Sequence, residues 1–157
     1  MKPVIFTDLD GTLLDFRDYS FDAATPALEL IKEKGFPLVI CSSKTRGEIE
    51  YYREKLGNSH PFISENGGGI FIPKDYFKFQ ISDFKFTEED GYSLIRLGAA
   101  YDELRNAIEE LRREGFEVRG FGDMTVAELA KIANMSLHEA EMAKKRDFDE
   151  PFIFDGP

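Results

Sequence analysis

Apolar and polar residues fall in blocks along this chain, and the blocks set its elements. Val4-Ile5-Phe6-Thr7 is short, apolar and β-prone, which predicts a buried strand of a parallel sheet. Ala24, Ala27, Leu28 and Ile31 recur at i, i+3, i+4 and i+7, the stripe of an amphipathic helix. Pro26 fits only in a first turn, so this helix begins near Ala24, and Gly35 stops it. Phe36 to Cys41 predicts a second buried strand, and strand, helix and strand make a right-handed βαβ unit. A second helix is expected over Thr45 to Leu56, with Ile49, Tyr52 and Leu56 on one face and Gly57 after it. Phe62-Ile63-Ser64 and Ile70-Phe71-Ile72 read as two further strands, with Glu65-Asn66-Gly67-Gly68-Gly69 turning a hairpin between them. Up to about Pro73 the chain reads as half of a doubly wound α/β sheet.

The character then changes. Asp75 to Asp90 is rich in Phe and Lys with poor periodicity, and suits a hinge or connecting strand. Tyr92 to Leu97 predicts a strand with partly polar faces. A helix follows from Ala100 to Glu114 with the stripe Tyr101, Leu104, Ile108 and Leu111; Gly115 ends it and Phe116 to Phe121 returns to strand. Thr125 with Glu128, and Ser136 with Glu139, are capping-box patterns that open two short helices. Glu150-Pro151-Phe152-Ile153-Phe154 enters a last strand. This β-α-β-α-α-β half is expected to form a separate, smaller α/β layer.

Composition narrows the class. In 157 residues, 42% hydrophobic content with 15 Phe supports a real core. The net charge of -10 and the absence of a basic stripe argue against a nucleic-acid partner, so an anionic ligand must be captured by local cations. Cys41 is the single cysteine, which excludes an internal disulfide and fits a reducing, cytoplasmic compartment. Met1-Lys2-Pro3 leads directly into the first strand, so no signal peptide is expected. No apolar run reaches the length of a membrane span, and no membrane partner is expected.

Candidate chemistry gathers where the predicted strands end. Ligands of parallel sheets collect at the carboxyl ends of strands, which is where Asp8 and Asp10 fall. Two acids beside a glycine turn suit a hard cation and phosphate chemistry; a solvated Asp-Gly turn is the bland reading. Asp8-Leu9-Asp10-Gly11-Thr12-Leu13 resembles the first motif of the haloacid dehalogenase superfamily of phosphohydrolases. The resemblance implies that Asp8 attacks phosphorus to form an aspartyl-phosphate. It implies that Asp10 serves as acid and then base, with Mg²⁺ held through Asp8 and Asp10. Ser42, after the second strand, matches the superfamily's second motif, a hydroxyl that hydrogen-bonds the phosphoryl group; alternatively Ser42 or Ser43 caps the following helix. Lys44 and Arg46 are the nearest cations. They are either anion ligands or solvated charges at a helix N-terminus, where the helix dipole disfavours them.

Three further stretches carry the resemblance through the chain. Ser64-Glu65-Asn66-Gly67-Gly68-Gly69-Ile70, Ser42-Ser43-Lys44-Thr45-Arg46 and Arg146-Asp147-Phe148-Asp149-Glu150-Pro151-Phe152 resemble mannosyl-3-phosphoglycerate phosphatases, a branch with a type-IIB cap. What this implies is a haloacid dehalogenase-like doubly wound parallel sheet in residues 1–82 and a partial α/β cap in residues 83–157. The implied substrate is a small phosphorylated sugar, hydrolysed to mannosylglycerate, with another sugar phosphate as the alternative. Arg146, near Glu150, either meets the sugar or glycerate end of that substrate or forms a surface ion pair. His60 and His138 stand apart from other candidate ligands and read as turn or surface residues.

The family also carries a returning segment with a Lys and a Gly-Asp-x-x-x-Asp stretch, and this sequence has no such stretch. Its one Gly-Asp, Gly122-Asp123, stands in a context that resembles the cap interior. The expectations that follow are an open edge on the first strand and a cation held only by Asp8 and the Asp10 backbone carbonyl. A complementing C-terminal chain is a further expectation, and a non-catalytic half-core acting as a subunit is the alternative to an enzyme.

Overall fold

A computed structural model describes residues 3–74, 76 and 85–155. The strands are β1 (Ile5–Thr7), β2 (Leu38–Cys41), β3 (Phe62–Ser64), β4 (Gly69–Pro73), β5 (Thr87–Glu89), β6 (Tyr92–Arg96), β7 (Val118–Gly120) and β8 (Phe152–Phe154). The helices are α1 (Thr25–Lys34), α2 (Arg46–Leu56), α3 (Tyr101–Arg113), α4 (Val126–Ile132) and α5 (Leu137–Ala143). A six-stranded sheet runs in the order β1-β2-β3-β4-β6-β5, and β7 pairs β8 apart from it. The pairs β1–β2 and β2–β3 are parallel, whereas β3–β4, β4–β6 and β6–β5 are antiparallel. The α/β class holds, with the parallel portion confined to the first three strands.

Local signals explain most of the elements. Gly35 and Gly57 close α1 and α2 at φ 62° and 60°, the left-handed conformation that glycine adopts without a Cβ clash. The expected boxes Thr125/Glu128 and Ser136/Glu139 both form and open α4 and α5. Thr45 caps α2 in a box with Glu48, so the alternative cap at Ser42 or Ser43 does not form. Placing the cap on Thr45 leaves Ser42 in the loop after β2.

In the second half one open alternative is decided and one expectation changes. Thr87–Glu89 lies in the stretch read as a hinge or connecting strand, and it is a strand, because it hydrogen-bonds along β6; residues 75 and 77–84 of that stretch, with the proposed boundary at 82, lie outside the described residues. β6 was expected in a separate layer, yet it runs along β4 from Gly69↔Arg96 to Pro73↔Tyr92 and extends the first sheet. Its apolar residues Leu94 and Ile95 are buried there. Only β7–β8, with α4 and α5, makes a distinct layer, packed around Met124, Leu129, Ala140 and Ala143.

The main core comprises Leu9, Leu14, Ile40, Ile49, Tyr52, Phe62, Phe71, Leu94 and Phe148. Phe62 and Phe71 face each other across β3–β4 and stack at 4.8 Å, with Tyr92 edge-on to both. Among the described residues β1 forms the edge of the sheet, with Phe6 64% exposed and Val4 and Leu30 also exposed; the strand is less buried than its apolar run suggests and has the open edge that was expected.

Phe148 ties the second half to the first. A Cβ on Gly68 would lie 2.2 Å from the Phe148 Cβ, and one on Gly69 would lie 2.5 Å from its ring. Gly98 meets the same side chain at 2.9 Å. The glycines therefore do more than turn a chain; Gly68, Gly69 and Gly98 form a seat that any side chain would fill. Beside it, the buried carboxylate of Glu65 accepts from the backbone N–H groups of Asp147, Phe148 and Asp149 at 2.8–3.2 Å. Burial pushes the Glu65 carboxyl above its ordinary range, against these three donors, and the Asp149 charge adds to the rise.

A second polar cluster fixes β8 against α3. Glu150 accepts from Arg105 at 2.6 Å, Tyr101 at 2.8 Å and the Gly122 N–H at 2.9 Å, while Asp123 is held by both Arg105 and Arg112. Burial would raise the Asp123 carboxyl, but the two arginines outweigh it and hold it at about 2. A depressed carboxylate contributes stability that is complete above its ordinary value of 3.8 and is lost as pH falls toward 2. Acid titration of Asp123→Asn, followed by circular dichroism, is expected to show a flatter stability profile between those two pH values than the parent. Glu65→Ala leaves three backbone N–H groups without their acceptor, the buried one of Phe148 and the part-buried ones of Asp147 and Asp149, and is expected to cost about 3 kcal/mol. Amide exchange at 147–149 should then rise to the rate of exposed loops, and unchanged protection there would remove Glu65 from its assigned role.

Candidate active site

The parallel strands β1, β2 and β3 end on the same side, so Asp8, Ser42 and Glu65 follow one another across that rim. Asp8 is exposed, and its Oδ1 accepts the Leu9 N–H at 2.6 Å, which orients the carboxylate at the strand end. The chain then turns tightly: Thr12, Leu13 and Leu14 donate to the Leu9 carbonyl, and Gly11 takes φ 69°. A Cβ on Gly11 would strike the Phe16 ring at 2.2 Å. Leu9 and Leu14 are fully buried, so the turn that carries Asp10 is anchored on the core.

The loops after β2 and β3 are joined by their backbones. Asn66 N–H donates to the Ser42 carbonyl and Glu65 N–H to the Lys44 carbonyl, each at 3.1 Å. Glu65, Asn66 and Gly67 take φ of 49°, 57° and 101°, three consecutive left-handed residues. Ser42 Oγ accepts from the Lys44 N–H at 3.3 Å, which leaves its own proton free to donate.

Two hollows open on this rim. One, of about 290 Å³, is lined by Asp8, Cys41, Ser42, Ser43, Ile63, Asn66 and Gly67. The other, of about 400 Å³, contains Asp10, Lys44 and Arg146 on its walls, with Phe121 and Pro151 from the second half. Ser43 and Asn66 line both, so the hollows adjoin. Asp8 and Asp10, two residues apart, line different hollows because the turn re-aims the second acid.

Lys44 organises the larger hollow. Its Nζ lies 3.2 Å from Asp10 Oδ2 and 3.5 Å from Glu48 Oε1. Burial works against its charge, but Glu48 and then Asp10 outweigh that cost and raise its pKa. Arg146 donates to the Ser43 carbonyl at 3.2 Å and pairs with Asp149. The expected Arg146–Glu150 proximity is thus replaced by Asp149 for Arg146 and by Arg105 for Glu150. In the smaller hollow, burial and then the Asp8 charge push the Cys41 thiol up, which keeps it protonated.

Arg46 lines neither hollow. It pairs with Glu50 and with Glu89 and Asp90 at the β5–β6 turn, and it lies over the Tyr92 and Phe71 rings. Of the sequence candidates, the structure brings Asp8 and Ser42 together, and Asp10, Lys44 and Arg146 together, but sets Arg46 apart. Sequence reasoning passed over Asn66, Glu48 and Tyr19 as lining residues. Asn66 carried a signal, since an Asn before Gly favours the left-handed backbone found here; Tyr19 and Glu48 carried none beyond polarity.

For Mg²⁺ the donors fit in part. Asp8 supplies an exposed carboxylate, while the Asp10 carboxylate is taken by Lys44 and leaves that residue its backbone carbonyl. Among the described residues no group of three or more His, Cys, Asp or Glu could hold a metal ion. Nor is any of their helices long and apolar enough to cross a membrane.

The fold resembles a solved haloacid dehalogenase-like hydrolase from Bacillus subtilis, with TM-score 0.56 and 19% identity over 92% of this chain and 50% of that one. In sequence, residues 5–118 match the haloacid dehalogenase-like hydrolase family model, and the chain belongs to that family. It is 48% identical to a glucosyl-3-phosphoglycerate/mannosyl-3-phosphoglycerate phosphatase of Methanococcoides burtonii, over 97% of this chain and 56% of the relative. It is 43% identical to a mannosyl-3-phosphoglycerate phosphatase of Pyrococcus furiosus, over 96% of this chain and 60% of the relative. The chain therefore spans a little over half the length of the curated relatives it matches.

Replacing Lys44 by Met leaves Glu48, 5% exposed, and the half-buried Asp10 as adjacent uncompensated carboxylates. A loss of about 3 kcal/mol in urea unfolding is expected. Adding Glu48→Gln should recover part of it; equal stability of parent and Lys44→Met would show that the pairing contributes nothing.

Proposed function

We propose that this chain carries the nucleophile, acid/base and phosphate-contacting parts of a phosphoric monoester hydrolase acting on a hexosyl-3-phosphoglycerate. The observation that carries the reading is that Asp8 and Asp10 open into two adjoining hollows. One then holds the phosphoryl group and the other the alcohol that leaves. The printed names of the relatives support the substrate class.

In the first step an Asp8 oxygen attacks phosphorus, the bond from phosphorus to the ester oxygen breaks, and Asp10 delivers its proton to that oxygen. In the second step water attacks phosphorus and gives its proton to Asp10, while the bond to Asp8 breaks and phosphate leaves. Ser42 donates its hydroxyl proton to a phosphoryl oxygen throughout. Asp8 and the Asp10 carbonyl are this chain's contribution to a Mg²⁺ site. The ion supplies charge neutralisation between carboxylate and phosphoryl oxygens when bound. Arg46 serves to join α2 to the β5–β6 turn, and its three carboxylate partners support that role over anion binding.

The open edge of β1 favours a second reading, in which this chain works as a half-core completed by a further segment that pairs there. Release of phosphate from mannosyl-3-phosphoglycerate separates the two. Under the first reading the chain alone turns over, and Asp8→Asn lowers the rate by about 10³-fold or more, upward of about 4 kcal/mol in barrier. Turnover that appears only when a C-terminal segment is added supports the second. An Asp8→Asn variant as fast as its parent, with or without the added segment, overturns the assigned nucleophile.

A further inference from the structure

We infer that Tyr19 is a positioning residue for the acid/base: its ring holds the Lys44 ammonium against the Asp10 carboxylate. The inference rests on the phosphatase reading, in which Asp10 moves the proton, and adds a residue that acts on Asp10 through another.

Tyr19 takes φ 55°, a left-handed backbone that glycine adopts freely and a ring-bearing residue adopts only under strain. Its loop enforces that conformation. Asp15 N–H donates to the Ser20 carbonyl at 2.9 Å, and Tyr19 N–H donates to the Asp15 carbonyl at 3.0 Å. The side chains of Asp15 and Asp18 accept from the Arg17 and Ser20 N–H groups at 2.8 and 2.9 Å. Glycine at position 19 would close the same loop without strain, so the reason for a ring there lies outside the loop.

That reason is Lys44. Its Nζ lies 5.4 Å from the centre of the Tyr19 ring and 5.9 Å from that of Tyr52, within the reach of cation–π attraction. The Lys44 side chain is 11% exposed, so little water competes for the charge. Glu48 and Tyr52 approach the ammonium from α2, Asp10 and Tyr19 from the segment after β1. The backbone contacts of Lys44 to Ser42 and Glu65 fix only the root of its flexible stem. Without the Tyr19 ring, the pull toward the β1 segment falls to Asp10 alone. Its side chain is 31% exposed and competes with the buried Glu48. The same loop also meets the Asp10 turn through Phe16, whose ring stands where a Cβ on Gly11 would go. Asp10 is thus braced at its backbone by Phe16 and at its carboxylate, through Lys44, by Tyr19.

The test reads the Lys44 ammonium directly, by nitrogen-edited proton NMR of the full chain. A caged lysine ammonium exchanges with water slowly enough to be observed, and an exposed one does not. Lys44→Met identifies the signal by its disappearance. A protected signal is expected in the parent and in Tyr19→Phe, which keeps the ring. Exchange about tenfold faster, or more, is expected in Tyr19→Leu and in Tyr19→Gly. Glycine relieves the left-handed backbone, so a loss of protection there comes from the missing ring and not from strain. Amide exchange along α2 should match the parent in both variants, which shows that they are folded. No Lys44 signal in the parent, or its survival in Tyr19→Gly, overturns the inference. So does Tyr19→Phe behaving as Tyr19→Leu, which would transfer the role from the ring to the hydroxyl. Release of phosphate from mannosyl-3-phosphoglycerate, by the chain alone or with an added C-terminal segment, gives the second readout. There Tyr19→Leu should lower kcat about tenfold and leave KM unchanged. A raised KM with unchanged kcat overturns the positioning role. A protected ammonium without turnover in either form undoes the phosphatase reading, while leaving Tyr19 as the residue that holds Lys44 on Asp10.

Discussion

The carboxylate of Glu65 accepts three backbone N–H groups from residues more than eighty positions later in the chain, and the arrangement of the site follows from that contact. A buried acid would ordinarily be an expense, and burial does drive its pKa up. Three converging donors offset much of that desolvation. Because Glu65 opens the run of left-handed residues after β3, holding it also holds Asn66, which lines both hollows. Because its donors are Asp147 to Asp149, the same contact sets Arg146 and Asp149 opposite Lys44.

Packing makes this polar contact specific. Phe148 can reach the core only across Gly68, Gly69 and Gly98, whose missing side chains leave room for its ring. A close-packed interior accepts no other geometry there, since a single added methyl would overlap the ring by more than an ångström. Hydrogen bonds aim the loop and the aromatic ring fixes its depth. Together they join the layer of β7, β8, α4 and α5 to the first sheet, whose strand β6 already comes from the second half of the sequence.

Charge then divides the rim into two environments. Asp8 faces hydroxyls and backbone, and Asp10 faces an ammonium in a partly buried hollow. Two identical side chains, two residues apart, are thereby given different surroundings. Lys44 does this at the junction of both halves, balanced by Glu48 from its own helix. The overall acidity of the chain leaves no general attraction for anions, so selectivity rests on these local pairs.

The sequence by itself determined what depends on neighbours along the chain. The βαβ start, the glycine helix stops, both capping boxes in the second half and the turn carrying Asp8 and Asp10 all follow from spacings of a few residues. It located Ser42 and Lys44 for the same reason, since a strand's end is a local feature. Only the tertiary structure decided what those spacings do not encode. It put the α2 cap on Thr45 and so decided between the two readings of Ser42, gave β6 to the first sheet and took Arg46 away to the β5–β6 turn. It also exchanged Glu150 for Asp149 beside Arg146. Each of these choices is made by groups distant in sequence competing for one partner, as Glu65 and the loop at 147–149 do most plainly, and such competition leaves no periodic trace in the chain.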